Sequence, residues 1–202
     1  MEQVLIESLC PGEMTEAASV LASAVCPNPN HMAAFKWQHE KERNLQEIFY
    51  KTALVKLLEG TFVAKQGDRI VGVICYIRSP RCQMTPSEAQ QFLPVLQNMF
   101  GDRAPRVLEW RSTWAKHDPS EPHWHFGPFG VLPAKQGQGI GSELLRHVCQ
   151  HVDDVGEDSY LETDKIENLP LYQRFGFIIT EDALVLGVPN WFMWRSFQKK
   201  NK

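Results

Sequence analysis

A glycine-rich turn is the strongest chemical signal in the chain. The segment Gln136-Gly137-Gln138-Gly139-Ile140-Gly141 stands between a strand pattern that ends near Leu132 and a helical pattern that begins near Ile140. Alternating glycines allow a tight turn and close approach to a ligand, and free N–H groups at a helix start attract anions. The spacing differs from that of P-loops and dinucleotide-binding folds. The turn therefore predicts a phosphate or pyrophosphate site, with a purely structural turn as the alternative.

Four other side chains have the chemistry to move protons. Tyr172 carries a phenol with a reference pKa near 10, which stays protonated at neutral pH and can act as an acid. His125 and His123 lie six and eight residues before Val131, so strand alternation predicts that all three share one face. A neutral imidazole at either position could act as a base by accepting a proton. Glu162 is the alternative candidate for that base. For each of these side chains a packed or hydrogen-bonded structural role is the alternative.

The cysteines and histidines show no local metal motif. The five cysteines form an odd set without a C-x-x-C pair, which suits neither a disulfide framework nor a zinc site and predicts reduced thiols. His147 and His151 lie four apart on one predicted helix, but no third ligand is evident. We therefore expect no metal. The cysteines are Cys10, Cys26, Cys75, Cys82 and Cys149.

Composition excludes several classes of protein. The 202 residues are 43% hydrophobic, and 21 basic against 24 acidic residues give a net charge of −3. This balance gives no electrostatic reason to bind nucleic acid or an anionic membrane. The acidic start of the chain lacks the bases of a signal peptide, and no apolar run approaches 18 residues. We expect one cytoplasmic domain without a nucleic-acid or membrane partner.

The elements that must position these residues follow from hydrophobic periodicity. A bulge is expected at Gly127-Pro128, because proline removes a ladder donor from a strand. A helical insertion is expected at about 79–122. Strands are predicted over 1–9, 61–65, 70–77, 123–132, 159–163, 177–180 and 191–196. Helices are predicted over 14–25, 35–58, 140–152 and 170–175, with a loop at 26–30.

Two motifs in order resemble the GNAT N-acyltransferase superfamily. The first is Gln136-x-x-Gly139-x-Gly141, which stands after a strand and before an amphipathic helix. The stretch 123–195 is most similar to puromycin N-acetyltransferase-like members. The resemblance implies one α/β (α+β) domain over 1–202, with a central mixed, mainly antiparallel sheet of six to seven strands and helices on both faces. The second motif comprises Tyr160-Leu161-Glu162-Thr163, Asn168, Leu171-Tyr172 and Phe175-Gly176-Phe177.

The resemblance also implies the donor and its site. Acetyl-CoA would lie where two parallel central strands splay, and its acetyl group would pass directly to a primary amine of a small molecule. Asn168 would cap a helix or contact the CoA arm, and Tyr172 matches the family's general acid. The backbone of Phe129, Gly130 and Val131 would pair with the pantetheine arm. The pyrophosphate would be wrapped by Gln136, Gly137, Gln138, Gly139, Ile140, Gly141 and Ser142.

Several alternatives stay open at this point. The acceptor could be a peptide or protein amine, or the chain could be a regulatory module that binds acyl-CoA without turnover, and a homodimer is also open. Asp164 stands where the puromycin enzymes tend to have serine, which predicts a changed amine preference. Six aromatic residues are candidates for an acceptor pocket or for the core. They are Phe35, Trp37, Trp110, Trp114, Trp124 and Trp191.

Overall fold

A seven-stranded sheet forms the centre of the protein in the computed structural model, which describes residues 3–36 and 41–199. The strand order is β1-β2-β3-β4-β5-β7-β6, and β4 with β5 is the one parallel pair among these strands. The predicted mixed, mainly antiparallel sheet is therefore confirmed. The strands are β1 Val4–Ser8, β2 Thr61–Gln66, β3 Arg69–Arg78, β4 His123–Val131, β5 Asp158–Thr163, β6 Ile178–Val185 and β7 Val188–Arg195.

Helices cover both faces of this sheet. They are α1 Met14–Val25, α2 Pro29–Phe35, α3 Lys41–Leu57, α4 Pro86–Phe100, α5 Ala104–His117, α6 Ile140–Val155 and α7 Leu169–Arg174. The apolar side chains of α6 and α7 pack with Ile74, Tyr76 and Leu161 on one face. Those of α1 and α3 pack with Val73 and Cys75 on the other face. Within the described ranges, every helix is too short or too polar to cross a membrane.

The amphipathic helix after the glycine-rich turn forms as predicted. Its apolar positions recur at three and four residues and are buried from Ile140 to Val152, whereas Val155 at the end of the helix is exposed. The helix continues three residues beyond the predicted end and stops at Gly156, whose φ is 72°. Burial of this face fixes the helix start, and with it the turn, against β4. The buried residues are Ile140, Leu144, Leu145, Val148, Cys149 and Val152.

The inserted segment between β3 and β4 is helical, as expected. Thr85 begins α4 with a capping box, because its hydroxyl accepts from the Glu88 N–H at 3.2 Å and its own N–H donates to the Glu88 carboxylate at 2.7 Å. Pro94 lies inside α4 without ending the helix. On α5 the rings of Trp110 and Trp114 meet with centroids 5.0 Å apart.

Three boundary predictions need correction. The predicted loop at 26–30 contains the start of α2, where Pro29 occupies the first helical turn. The helix predicted from Phe35 is interrupted, since α2 ends before Lys36, whose φ is 48°, and α3 is described from Lys41. The intervening residues 37–40 lie outside the described ranges. β6 and β7 are longer than predicted because polar residues such as Glu181 obscure their alternation.

The bulge predicted at Gly127-Pro128 is confirmed, and it overturns a second prediction. Ile74 of β3 pairs with Phe129 and Tyr76 pairs with Phe126, so two residues of β4 stand opposite one residue of β3. The extra residue reverses the alternation of side chains. Phe126, Phe129 and Val131 consequently all pack on the α6 face. His123 and His125 face the opposite side of the sheet, so the prediction that they share a face with Val131 is wrong.

Candidate functional site

Two cavities open where β4 and β5 separate. The strands pair from His123 opposite Asp158 to His125 opposite Tyr160, and their pairing ends there. One cavity has a volume of about 490 Å³ and the other about 530 Å³. Five residues line both cavities, so the two cavities share a wall where they meet. The shared residues are Val25, Asn28, Phe129, Asn168 and Tyr172.

The cavity of about 530 Å³, called the donor cavity after the donor-site residues predicted from the sequence, has features that favour an anion. Gly137 and Gly139 have φ values of 73° and 85°, which glycine adopts without strain, and they bring the turn to the N-terminus of the 16-residue helix α6. Three basic side chains and one acid also line it, namely Lys135, Lys165, Arg174 and Glu167. From the predicted donor-site residues it includes Phe129, Gly130, Val131, Gln136, Gly137, Gly139, Ile140, Gly141, Ser142 and Asn168.

Gln138 is the predicted donor-site residue that does not line this cavity. Its side-chain amide donates to the Ala134 carbonyl at 3.3 Å, which braces the turn from outside. The Gln136 amide donates to the Val131 carbonyl at 3.0 Å and ties the turn back to β4.

Close packing of the cavity wall depends on Gly130, where an added Cβ would lie 2.6 Å from the Ala24 Cβ of α1. The wall of the cavity therefore requires glycine at this position.

The cavity of about 490 Å³, called the acceptor cavity after the aromatic acceptor-pocket candidates of the sequence, is lined by aromatic and charged side chains. Of the aromatic candidates from the sequence, Trp110 and Trp114 line it, whereas Phe35, Trp124 and Trp191 do not, and Trp37 lies outside the described residues. Glu162 and Asp164 supply carboxylates and Arg111 a cation. Further aromatic lining comes from Phe49, Tyr50, Phe92, Phe126 and Phe129.

Tyr172 stands at the junction of the two cavities. Its side chain is buried, and its ring lies 6.5 Å from that of Phe129 and 6.2 Å from that of Phe177, measured between centroids. Burial raises the pKa of Tyr172 above its usual value, and the nearby carboxylates of Asp164 and Glu162 raise it further. The hydroxyl is therefore a proton donor throughout the neutral range.

Asn168 precedes α7 but does not cap it through its side chain. It occupies the N-cap position, yet its amide makes no capping hydrogen bond and instead donates to the Thr163 hydroxyl at 3.4 Å. This contact holds the amide at the end of β5, on the wall shared by both cavities. Of the two roles predicted for Asn168, contact with a ligand is the one that this geometry favours.

His125 and Glu162 form a close pair at one end of the acceptor cavity. His125 Nε2 lies 3.2 Å from Glu162 Oε1 and 2.9 Å from Oε2, and its Nδ1 lies 3.1 Å from Asp118 Oδ1. Burial disfavours the charged imidazole, but the Glu162 and Asp118 carboxylates outweigh it and raise the pKa of His125 well above its usual value. Glu162 Oε2 is buried without a hydrogen bond of good geometry among the described residues. Both nitrogens of the ring are thus occupied by carboxylates.

Cys82 and His123 complete a compact cluster around Asp118. Cys82 Sγ lies 3.5 Å from Asp118 Oδ2 and 4.0 Å from His123 Nε2. Burial opposes ionisation of Asp118, but hydrogen bonds from His123 and His125 prevail and lower its pKa well below the usual value. In the same way the Asp118 contact overcomes burial and raises the pKa of His123 to about 9. Sequence reasoning missed Cys82 and Asp118, because they lie 36 residues apart and belong to no short motif.

His31 and Asp164 also reach the acceptor cavity, and both have structural partners. The His31 ring lies between the Gln46 amide, 3.0 Å from Nδ1, and the Tyr50 hydroxyl, 3.2 Å from Nε2. Burial lowers the pKa of His31 to about 3, so the ring is neutral. Asp164 accepts a hydrogen bond of 2.6 Å from the Asn30 N–H in the first turn of α2. His31 escaped prediction because the sequence indicates a loop over 26–30 and no helix between that loop and Phe35.

Comparisons with known proteins agree with this geometry. A family model described as the acetyltransferase (GNAT) family matches residues 24–177. An uncharacterized N-acetyltransferase of Schizosaccharomyces pombe is 30% identical over 88 residues, which span 44% of this chain and 31% of that protein. This match therefore covers less than a third of its relative's length.

Solved structures share the fold over nearly the whole chain. A Corynebacterium glutamicum protein described as histone acetyltransferase HPA2 and related acetyltransferase superposes with a TM-score of 0.76 at 21% identity, covering 100% of both chains. The polyamine N-acetyltransferase of Drosophila melanogaster superposes with a TM-score of 0.69 at 15% identity, covering 96% of this chain and 100% of that one. At these identities the likeness shows the fold alone.

Proposed function

The chain belongs to the acetyltransferase (GNAT) family, and from this premise we propose that it transfers the acetyl group of acetyl-CoA directly to a primary amine of a small molecule. The observation that carries the proposal is the shared wall of the two cavities. Phe129, Asn168 and Tyr172 line both of them. A donor and an acceptor that occupy the two cavities would meet there, as a ternary complex requires.

Acetyl-CoA suits the donor cavity in charge and shape. The turn over 136–142 presents backbone N–H groups at the start of α6, and Lys135, Lys165 and Arg174 add positive charge around a pyrophosphate. The pantetheine arm would then run along Phe129 to Val131, past the point where β4 leaves β5. This places the thioester beside Tyr172. Gln138 acts by bracing the turn, not by contact with the donor.

Proton transfer in the reaction needs one base and one acid. The amine nitrogen attacks the thioester carbonyl carbon, a carbon–nitrogen bond forms, and the carbon–sulfur bond breaks. The proton lost by the amine passes to the base, and the departing thiolate takes a proton from Tyr172 to give CoA thiol. A thiolate whose conjugate acid has a pKa near 8.5 is a weaker base than a phenolate whose conjugate acid has a raised pKa. This transfer is uphill in isolation, so we propose that Tyr172 donates as the sulfur charge develops. The tyrosinate then takes a proton from water, and the base returns the proton of the amine to water.

Glu162 is the stronger candidate for the base. The sequence analysis named His125 as the candidate base and Glu162 as its rival, but both nitrogens of the His125 ring face carboxylates, at 3.1 Å to Asp118 and 2.9–3.2 Å to Glu162. A ring held in this way has no free lone pair for the amine. Glu162 has a buried oxygen without a well-formed hydrogen bond, and the residue lines the acceptor cavity. We therefore propose Glu162 as the base and His125 as the residue that orients it.

The acceptor cavity suits a small amine with an apolar or aromatic body. Its volume of about 490 Å³ lies in the range of small-molecule sites. Trp110 and Trp114 provide flat apolar surface, while Glu162 attracts a cationic amine. One fold relative acts on polyamines according to its name, which supports an amine acceptor here. A special closeness to the puromycin enzymes, a cytoplasmic location and a homodimer all stay predictions.

We further propose that the chain forms one domain in which the insertion at about 79–122 builds the acceptor side. Leu96 of α4 and Trp110 of α5 belong to the same buried cluster as Tyr160 of β5 and Phe192 of β7. The inserted helices thus share their core with the sheet. Variation in this segment would change the acceptor without changing the donor.

An amine panel tests the proposed function. The measurement is release of CoA thiol from acetyl-CoA with polyamines, arylalkylamines, puromycin and short peptides, with the acetylated product identified by mass spectrometry. We expect small primary amines to support release. Release with peptides alone would identify the peptide alternative. Acetyl-CoA binding without release for any amine would favour the regulatory module.

A further inference from the structure

The cluster behind the acceptor cavity has the composition of a metal site. It brings together one thiol, one carboxylate and two imidazoles, and one ligand atom from each lies within 4.8 Å of every other. Thiolate, imidazole and carboxylate are the ligands that Zn²⁺ takes in proteins. The four residues are Cys82, Asp118, His123 and His125.

We propose that Cys82, Asp118, His123 and His125 bind one Zn²⁺ ion in a closed, tetrahedral, structural site. The site is independent of the proposed acetyl transfer, since it needs neither acetyl-CoA nor an amine.

The separations between ligand atoms fit this geometry. Zinc bonds of about 2.0–2.3 Å in a tetrahedron place neighbouring ligand atoms about 3.3–3.7 Å apart. Asp118 Oδ1 lies 3.6 Å from His123 Nε2 and 3.1 Å from His125 Nδ1. Cys82 Sγ lies 3.5 Å from Asp118 Oδ2 and 4.0 Å from His123 Nε2. Since the four ligand atoms all lie within 4.8 Å of one another, shifts of about an ångström or less would complete the coordination.

The two histidines are already oriented as zinc ligands. His123 Nδ1 lies 2.8 Å from the Glu121 carbonyl, and His125 Nε2 lies 3.2 Å from Glu162 Oε1. Each ring therefore donates one N–H to an oxygen outside the cluster and turns its other nitrogen inward. Histidine ligands of metals almost always have such an outer partner, which fixes the tautomer. A cluster held only by its own hydrogen bonds would not require this arrangement at both rings.

Charge and burial support a divalent cation. The side chain of His123 is fully buried, and those of Asp118 and His125 are 9% and 12% exposed. One thiolate and one carboxylate balance the two charges of Zn²⁺, so the loaded site buries no net charge. Four protein ligands leave no open position, which is typical of structural zinc.

The position of the cluster gives the ion a mechanical role. Cys82 follows β3, Asp118 follows α5, and the two histidines open β4. The ion would therefore join both ends of the inserted helical segment to the sheet. It would also hold His125 Nε2 toward Glu162 at the wall of the acceptor cavity.

Metal analysis of the 202-residue chain tests the proposal. The protein is stripped with a chelator, loaded with Zn²⁺ and freed of excess metal, and its fold is checked by circular dichroism. We expect one equivalent of zinc per chain, and more than a tenfold loss of affinity in Cys82→Ser and in His123→Gln. Two matched variants at exposed residues outside the cluster, Cys10→Ser and His151→Gln, should keep the full equivalent.

Two further measurements test the zinc site even if Cys82→Ser or His123→Gln does not fold. Co²⁺ in the wild-type protein should show a thiolate charge-transfer band, which Cys10→Ser retains. Zn²⁺ should slow alkylation of Cys82 at least tenfold, as measured by mass spectrometry, and leave Cys10 unaffected. The site would be overturned if the folded wild-type protein takes up no stoichiometric zinc. It would also be overturned if the His151→Gln variant fails to bind zinc.

Discussion

The donor and acceptor sides of this protein are assembled in different ways. The donor cavity is built largely from one stretch, residues 129–142, in which a strand, a turn and a helix start follow each other along the chain. The acceptor cavity takes its charged residues from segments far apart, such as Arg111 on α5 and Glu162 on β5. Local assembly leaves a motif in the sequence, whereas non-local assembly leaves none.

The two sides also differ in what holds them. Backbone conformation sets the donor side, where glycines at 137 and 139 have positive φ and Gly130 allows α1 to approach β4. Side-chain networks set the acceptor side, where Asp118 lies between two histidines and Asp164 anchors α2. Substitutions should consequently separate into those that affect acetyl-CoA and those that affect the amine.

The largest expected effect is from Glu162→Gln on the acceptor side. Loss of the base should lower kcat with the amine by about 10²- to 10⁴-fold, the usual contribution of a general base. The acetyl-CoA Kd should be unchanged, because Glu162 does not line the donor cavity. Steady-state kinetics and calorimetric titration measure the two quantities. Glu59→Gln, at an exposed position, is the matched control, and an equal kcat in both variants would remove Glu162 from the mechanism.

Removal of the proposed zinc comes next in size. An ion held at a thousand times its Kd stabilises the folded chain by about 4 kcal/mol, so the chelated protein should have a lower Tm. It should also have a higher KM for the amine, because both ends of the inserted segment are released, while the acetyl-CoA Kd is retained. Thermal unfolding and kinetics with and without chelator provide the comparison. An equal loss of affinity for both substrates would contradict the division into two sides.

Gly130→Ala should destabilise the donor side. The new Cβ would lie 2.6 Å from the Ala24 Cβ, and overpacking of this kind costs about 1–3 kcal/mol. Urea unfolding measures the change in the free energy of unfolding. Gly12→Ala is the control, since an added Cβ there meets nothing within 4 Å. Equal free energies of unfolding for the two variants would show that Ala24 of α1 does not pack closely against Gly130 of β4.

The smallest expected effect is from Arg174→Ala at the edge of the donor cavity. Arg174 is exposed, so its attraction for a phosphate is screened, and acetyl-CoA affinity should fall about three- to tenfold, less at high salt. The KM of the amine should stay the same. Arg69→Ala, whose side chain is 82% exposed on the β2–β3 hairpin, serves as the control. A loss of amine affinity without a change in acetyl-CoA binding would reverse the assignment of the cavities.

Particular residues show how far the sequence could be interpreted. The individual strands, the helix after the turn and the bulge at Gly127-Pro128 were predictable, because each depends on residues within a few positions. The arrangement of the sheet was expected from the family resemblance. The sequence predicts the bulge, but strand alternation counted without its extra residue puts His125 on the wrong face of the sheet. Cys82 and Asp118 could not be associated at all, since only the folded insertion brings them to His123. Long-range contacts of this kind have no periodic signal.

The central claim is that donor and acceptor meet at Tyr172. The most direct test is the single-turnover rate of acetyl transfer in Tyr172→Phe, with the acetyl-CoA Kd and the fold measured on the same sample. Loss of the acid should slow transfer by about a hundredfold or more while the Kd stays within about twofold of wild type. Transfer at the wild-type rate in the folded variant would contradict the account, because the hydroxyl at the shared wall would then have no part in the reaction.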